Sequence, residues 1–315
     1  MKALLIGICS SMFFAVTFIL NRSMEVGGGS WLWSASLRFI FMVPFLILIV
    51  WMRGNLRDLF REMKKRPLEW IKWSVVGFVL FYAPLTYAAA YGPGWLVAGT
   101  WQFTIVAGLL LAPLFLKSDG SRHTVQFRAL IISCIILSGV ILIQVQQADQ
   151  LSVSQLLIGA LPVVIAAFCY PLGNRKMMEL FGDRMDSFQR ILGMTLASLP
   201  VWIILSGIGL VQTGPPSPGQ VIQTFIVAVS SGIIATALFF IATNSVRHDQ
   251  GKLAAVEATQ ATQVLFVIAG EAILLSSPLP SGIASMGIGL IVVGIVVHTL
   301  NMRMAVRRMA VVKSG

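Results

Sequence analysis

The chain has 315 residues, 57% hydrophobic and 11% charged, where a soluble domain carries about 25% charged and about 45 to 50% apolar residues. A mean hydropathy of +0.86 means more apolar surface than soluble cores can bury, which excludes a soluble globular enzyme and predicts an all-α integral membrane protein. The net charge of +11 is not a nucleic-acid footprint, since the cations fall in short segments between apolar runs.

A membrane helix needs about 20 mostly apolar residues, and cutting the chain at charge clusters and Gly/Pro turns predicts ten of them. The first, 3–21, follows Met1-Lys2 without a small-residue cleavage site, so it reads as a span rather than a signal peptide. Gly27-Gly28-Gly29 separates it from the second, 31–52, and the basic stretch Arg53 to Arg66 reads as an amphipathic anchor on an anionic leaflet. The third and fourth, 70–91 and 94–116, are parted by Gly92-Pro93-Gly94 and carry Tyr82, Tyr87, Trp101 and Gln102 at membrane depth. An aromatic substrate lining competes there with ordinary packing, while the buried amide of Gln102 demands partners. Trp31, Trp33, Trp51, Trp70, Trp73 and Trp95 fit an interfacial belt.

The fifth span is 127–146; the sixth to tenth are 154–176, 187–210, 221–244, 253–276 and 282–302. Cys9, Cys134 and Cys169 sit in apolar runs without disulfide or metal spacing and read as packing residues. Pro44, Pro84, Pro113, Pro162, Pro171 and Pro200 fall within spans and bend them, which suits hinges. Ser285, Gly287, Gly289 and Gly294 give the tenth span a small-residue face for helix packing or a homodimer contact.

Orientation follows from the basic residues. With the N-terminus cytoplasmic, 21 of the 23 Lys and Arg residues fall on the inner side and only Arg22 and Arg38 outside. Both termini are then cytoplasmic in a multi-pass protein of the cell membrane, with 303–315 a basic tail.

An offset near 153 superposes Asn21-Arg22 on Asn174-Arg175, brings Arg38 near Arg190 and Gly77 near Gly232, and, after a small insertion, Gln102 on Gln260. The order holds across four helices, which predicts two five-helix repeats, 1–146 and 154–302. Five is odd, so the repeats are inverted, a transporter signature with the site at the midplane between them.

Ten spans, this inversion and the ninth-span run Val256-Glu257-Ala258-Thr259-Gln260 ending in Gly270-Glu271 resemble the drug/metabolite transporter superfamily, in its ten-helix multidrug resistance efflux branch close to the EamA-like exporters. The resemblance covers essentially the whole chain. It implies a central cavity lined mainly by spans one to four and six to nine, with five and ten peripheral, and export of small molecules, commonly proton-driven.

Among the twelve acidic residues, Glu257 and Glu271 alone lie inside a span. Their separation of fourteen residues puts both on one helix face with Gln260, and Gln263 extends the polar stripe. Glu257 is either a proton- or cation-binding carboxylate or a first-turn glutamate paired with Lys252; Glu271, nearer the outer end, is a solvated or gate-forming carboxylate. Asn21 and Asn174 either cap helix C-termini or line the entrances. Arg38 and Arg190 either snorkel to the interface or form gate ion pairs, Arg38 with Glu25 and Arg190 with Asp186 or Glu179.

His123, His248 and His298 are isolated, and no nucleotide-binding or hydrolase motif is present, so neither a membrane enzyme nor a cofactor or metal is expected. A channel or scramblase is the other competing reading. Within the transporter reading, the acidic stripe with deep aromatics leans toward drugs or lipophilic cations, and the amides suit amino acids or related metabolites.

Overall fold

A lipid interior offers no water to unpaired backbone groups, so apolar runs of this length must close their hydrogen bonds within helices. The computed structural model describes residues 2–92, 94–116, 120–148, 152–182, 184–275 and 282–314, which are nearly all helix. Among the described residues, eight helices are long and apolar enough to cross a membrane, and two shorter apolar ones, Leu96–Leu110 and Ile283–Val297, stand where the fourth and tenth spans are expected. The first span is Lys2–Val26 and the second Trp31–Met52. The third is Pro67–Tyr91, the fifth Phe127–Ala148, the sixth Val153–Phe181, the seventh Ser187–Thr213 and the eighth Pro218–Ser245. The ninth is built of Gln250–Ala258, a 3-10 turn Thr259–Ala261 and Thr262–Leu275; the last helix runs Ile283–Ser314.

Local sequence fixes several of the starts. Ser152 with Gln155, and Asp186 with Gln189, form reciprocal capping boxes on the sixth and seventh spans, and Ser217 and Asp249 cap the eighth and ninth. The basic stretch forms the helix Leu56–Lys65, which packs in part on the protein while Phe60 stays exposed. Leu59 is fully buried against the start of the seventh span, and Glu62 bonds Lys65 and Arg184. Cys9 and Cys134 are exposed on outer helix faces instead of packed, and Pro113 sits in a 3-10 turn, Ala112–Leu114, beyond the fourth span.

The fifth and last helices pack against each other. A Cβ on Gly139 would lie 2.6 Å from the carbonyl oxygen of Gly287, so glycine sets this approach. Gly287 and Gly294 thus face the fifth span, while Gly289 points to open space. The main core is shared by the other spans, with Phe39 stacked on Trp202 and Trp70 on Phe181.

Irregularities recur in pairs. The third and eighth spans each contain a π-helical segment, Val75–Val79 and Ala228–Ala235, around Gly77 and Gly232. Such segments occur frequently at functional sites, and Pro44, Pro84, Pro162, Pro171 and Pro200 also lie inside helices. The fourth span breaks at Gln102 and the ninth at Thr259–Ala261, which includes Gln260. At the start of the second span Ser30 and Ser34 bond Gln220, from the eighth span's first turn; at the start of the seventh, Asp186 and Gln189 bond Asn55, from the link before the third.

Candidate functional site

Where the broken helices meet the third and sixth spans lies a partly open hollow of about 300 Å³, counting the open space at its mouth. Its walls are mainly aromatic: Phe14 and Phe18 from the first span, Phe81 and Tyr82 from the third, Trp101 from the fourth and Tyr170 from the sixth. Phe81 lies 4.7 Å from Tyr170 and 5.0 Å from Trp101, centroid to centroid, which makes one continuous aromatic wall. Polar groups enter from Thr17, Arg38, Ser231, Gln260 and Gln263. No described wall residue is acidic.

Arg38 reaches in from the second span and is 2% exposed. Its guanidinium lies 3.9 Å from the centroid of the Tyr82 ring, and Nη2 donates to Ser231 Oγ at 3.0 Å. Nε and Nη1 have no hydrogen-bond partner among the described residues, and neither do Thr17 Oγ1, Tyr170 OH and Gln263 Oε1. Several polar atoms without a protein partner thus gather around one aromatic hollow, an arrangement suited to binding a polar group on a flat body.

Neighbouring contacts give the site its depth. Along the first span, Ala3 and Leu4 pack with Ala255 and Val256, Ser11 bonds the Thr259 carbonyl and Gln260, and Phe14, Thr17 and Phe18 reach the cavity. Asn21 lies further on, beside a smaller hollow that shares Phe18 and Leu85 with the cavity and continues to Ala89 and Val97. The hollow therefore extends away from the side that bears the N-terminus.

On the N-terminal side stands Glu257. Arg175 Nε donates to its Oε1 at 2.9 Å and Nη2 to its Oε2 at 2.6 Å, with the side chains 2% and 5% exposed. Arg175 Nη1 also donates to Gln250 Oε1 at 3.2 Å, so the pair ties the sixth span to the ninth. Gly108 of the fourth span lies directly against it, and any Cβ there would collide with the carboxylate. A bidentate pair between charged groups is the geometry that a buried carboxylate requires.

Several expectations change. Glu257 does not pair with Lys252, which bonds Asp249, nor does it cap the helix, whose first turn Asp249 serves. The shared helix face expected for Glu257 and Glu271 is interrupted by the 3-10 turn Thr259–Ala261, and where the Glu271 side chain falls lies outside the described residues. The side chain of Glu25 lies outside them too. Arg38 does not snorkel. Arg190 is fully buried with its guanidinium 5.3 Å from the Phe240 ring, and no partner for its three nitrogens is found among the described residues. Asp186 instead pairs with Arg53, and Glu179 with Lys176.

Asn21 and Asn174 lie inside continuous helices rather than at C-caps, and Asn21 Nδ2 donates to Tyr82 OH at 3.3 Å. Tyr87 is half-buried beside Trp31 and Tyr91, away from the cavity. Gln102 bonds the Ala98 carbonyl and keeps Oε1 unmatched at the helix break, outside the cavity wall. Tyr82, Trp101 and Gln260 do line the cavity.

Sequence reasoning missed Tyr170, Thr17, Ser231 and above all Arg175, counted with the inner-side charges although it is buried. The signal was the match of Arg22 with Arg175, an arginine well before its helix ends.

The model of one family, described as "EmrE: Putative multidrug resistance efflux transporter", matches residues 1–304. Among relatives, "Uncharacterized protein YjlA" of Bacillus subtilis (strain 168) is 61% identical over 306 residues, 95% of this chain and 94% of its own length. An "Uncharacterized 42.1 kDa protein in intracellular alkaline protease 3'region" of Shouchella clausii is 54% identical over 264 residues, 82% of this chain and 69% of its own. One crystal structure, whose description names no function, superposes with a TM-score of 0.71 at 16% identity, covering 96% of this chain and 98% of that one, which establishes a shared fold.

Proposed function

Because this chain belongs to the EmrE family of multidrug resistance efflux transporters, multi-pass membrane proteins, we propose that it exports small molecules from the cell by alternating access, driven by protons. The cell membrane, with both termini cytoplasmic, is the setting in which the inner-side excess of Lys and Arg is explained.

Two inverted five-helix repeats are the machine. The paired irregularities support this: π segments in spans three and eight, breaks in spans four and nine, and matched contacts at the starts of spans two and seven. Two similar halves of opposite orientation can exchange shapes at small net free-energy cost, which moves the opening from one face to the other.

The observation that carries the reading is the buried Arg175–Glu257 pair, placed between the cavity and the N-terminal face. With the pair made, that face is shut and the hollow extends the other way. Separating the two charges strands each in a poorly solvated place, and a stranded carboxylate takes a proton. A proton on Glu257 therefore favours the state open to the cytoplasm, and its release there restores the pair. Gln260, one turn on, links Glu257 to the cavity wall.

The test is purified protein in liposomes with an imposed pH gradient, screened against cationic drugs, amino acids, nucleobases and aromatic acids. Gradient-driven movement of at least one class, lost in Glu257→Gln with insertion intact, is expected. Movement that runs without a gradient, or survives the substitution unchanged, refutes proton coupling at Glu257.

A further inference from the structure

Glu257, the acid that pointed to cationic substrates, is engaged by Arg175 and offers the cavity no free negative charge. The one fixed charge on the described wall is positive, that of Arg38. A guanidinium remains ionised in proteins and presents five N–H donors. Arg38 spends one on Ser231 and rests a face on Tyr82, which leaves Nε and Nη1 without hydrogen-bond partners among the described residues, beside an aromatic hollow.

From this we propose, on the strength of the efflux reading, that the transported substrate is an organic anion, a carboxylate on a flat apolar body, with the carboxylate seated on Arg38 in the cavity. Three features fit that chemistry together. The open guanidinium N–H groups supply the charge-assisted donors a carboxylate seeks, the Tyr170 hydroxyl and Thr17 Oγ1 add neutral donors, and the Phe81–Trp101–Tyr170 wall accepts a planar ring. A lipophilic cation would instead meet a like charge it cannot neutralise.

A charge series on one ring system separates the possibilities: indole-3-acetate, its neutral amide and cationic tryptamine. Calorimetric titration of the purified protein at neutral pH should show the acetate binding at least about 10-fold more tightly than either of the others, the difference one charge-assisted hydrogen bond makes. Arg38→Gln should erase the preference and Arg38→Lys keep part of it, with thermal melting to show that both variants fold. The wild-type series decides the matter should neither fold. Tryptamine binding as tightly as the acetate, a preference that survives Arg38→Gln, or no binding by any of the three overturns the anion assignment. The efflux reading fails separately: acetate binding that depends on Arg38, with no movement across liposomes under a pH gradient, leaves an anion-binding membrane protein that does not transport.

Discussion

Arg175 holds Glu257 through two parallel hydrogen bonds of 2.9 and 2.6 Å, out of contact with solvent, across a gap of 82 residues in the chain. Buried pairs of this kind add little net stability, because desolvation cancels most of their attraction, but losing one partner is costly. Arg175→Met alone should therefore lower stability in detergent by about 3 to 5 kcal/mol, while Arg175→Met with Glu257→Met should melt close to the parent. Both variants should lose gradient-driven transport. A double variant as unstable as the single one would show that the pair is a mere structural strut.

Gly108 makes room for that pair. A methyl group there must displace the Glu257 carboxylate, with Arg175 Nη2 only 3.2 Å away. Gly108→Ala is expected to cut the transport rate at least about 10-fold, equivalent to about 1.4 kcal/mol in the closed state. Transport at the parental rate would mean that the pair adjusts freely and is no latch.

The third and sixth spans cross at Gly77 and Gly173, where a Cβ on Gly77 would lie 3.1 Å from Gly173 Cα. Overpacking a tight crossing costs about 1 to 3 kcal/mol. Gly173→Val should lower the melting temperature and the transport rate together, whereas Gly289→Val, on a face open to lipid, should leave both unchanged.

Outside the spans, the hydrogen bond from Lys65 holds the Glu62 carboxyl below its usual range, with Arg184 adding charge. A lowered folded-state value means that its contribution to stability is present above the unfolded value of about 4.3 and is lost as pH falls from there through the folded value. Protease accessibility of the Leu56–Lys65 helix should rise over that acidic window, and Glu62→Gln should flatten the rise. An unchanged profile in the variant would assign the transition to other carboxylates.

The helices were legible because lipid imposes one rule on every apolar run, and cuts at charge clusters and turns put the starts of the sixth and seventh spans within a residue of Val153 and Ser187. The site was less so. Sequence distance carries no depth within a bundle, so Arg38, eight positions into its span, looked like a residue that reaches for the headgroups, whereas the π segment of the eighth span and Gly232 open a place for it inside. Nor could a linear reading pair Glu257 with Arg175, since a nearby lysine is the obvious partner until the sixth span is folded against the ninth. Tyr170 lay among apolar neighbours with nothing to distinguish it from packing.

The most direct measurement of one-sided access uses a protein whose Cys9, Cys134 and Cys169 are replaced by serine and which carries Thr17→Cys on the cavity wall. Impermeant cationic and anionic thiol reagents are applied in turn to each face of the reconstituted membrane. With the Arg175–Glu257 pair intact, both should label faster from the face opposite the N-terminus, and Glu257→Gln should raise labelling from the N-terminal face at least about 10-fold. Equal labelling from both faces with the pair intact, or an N-terminal rate unmoved by the substitution, would contradict the account.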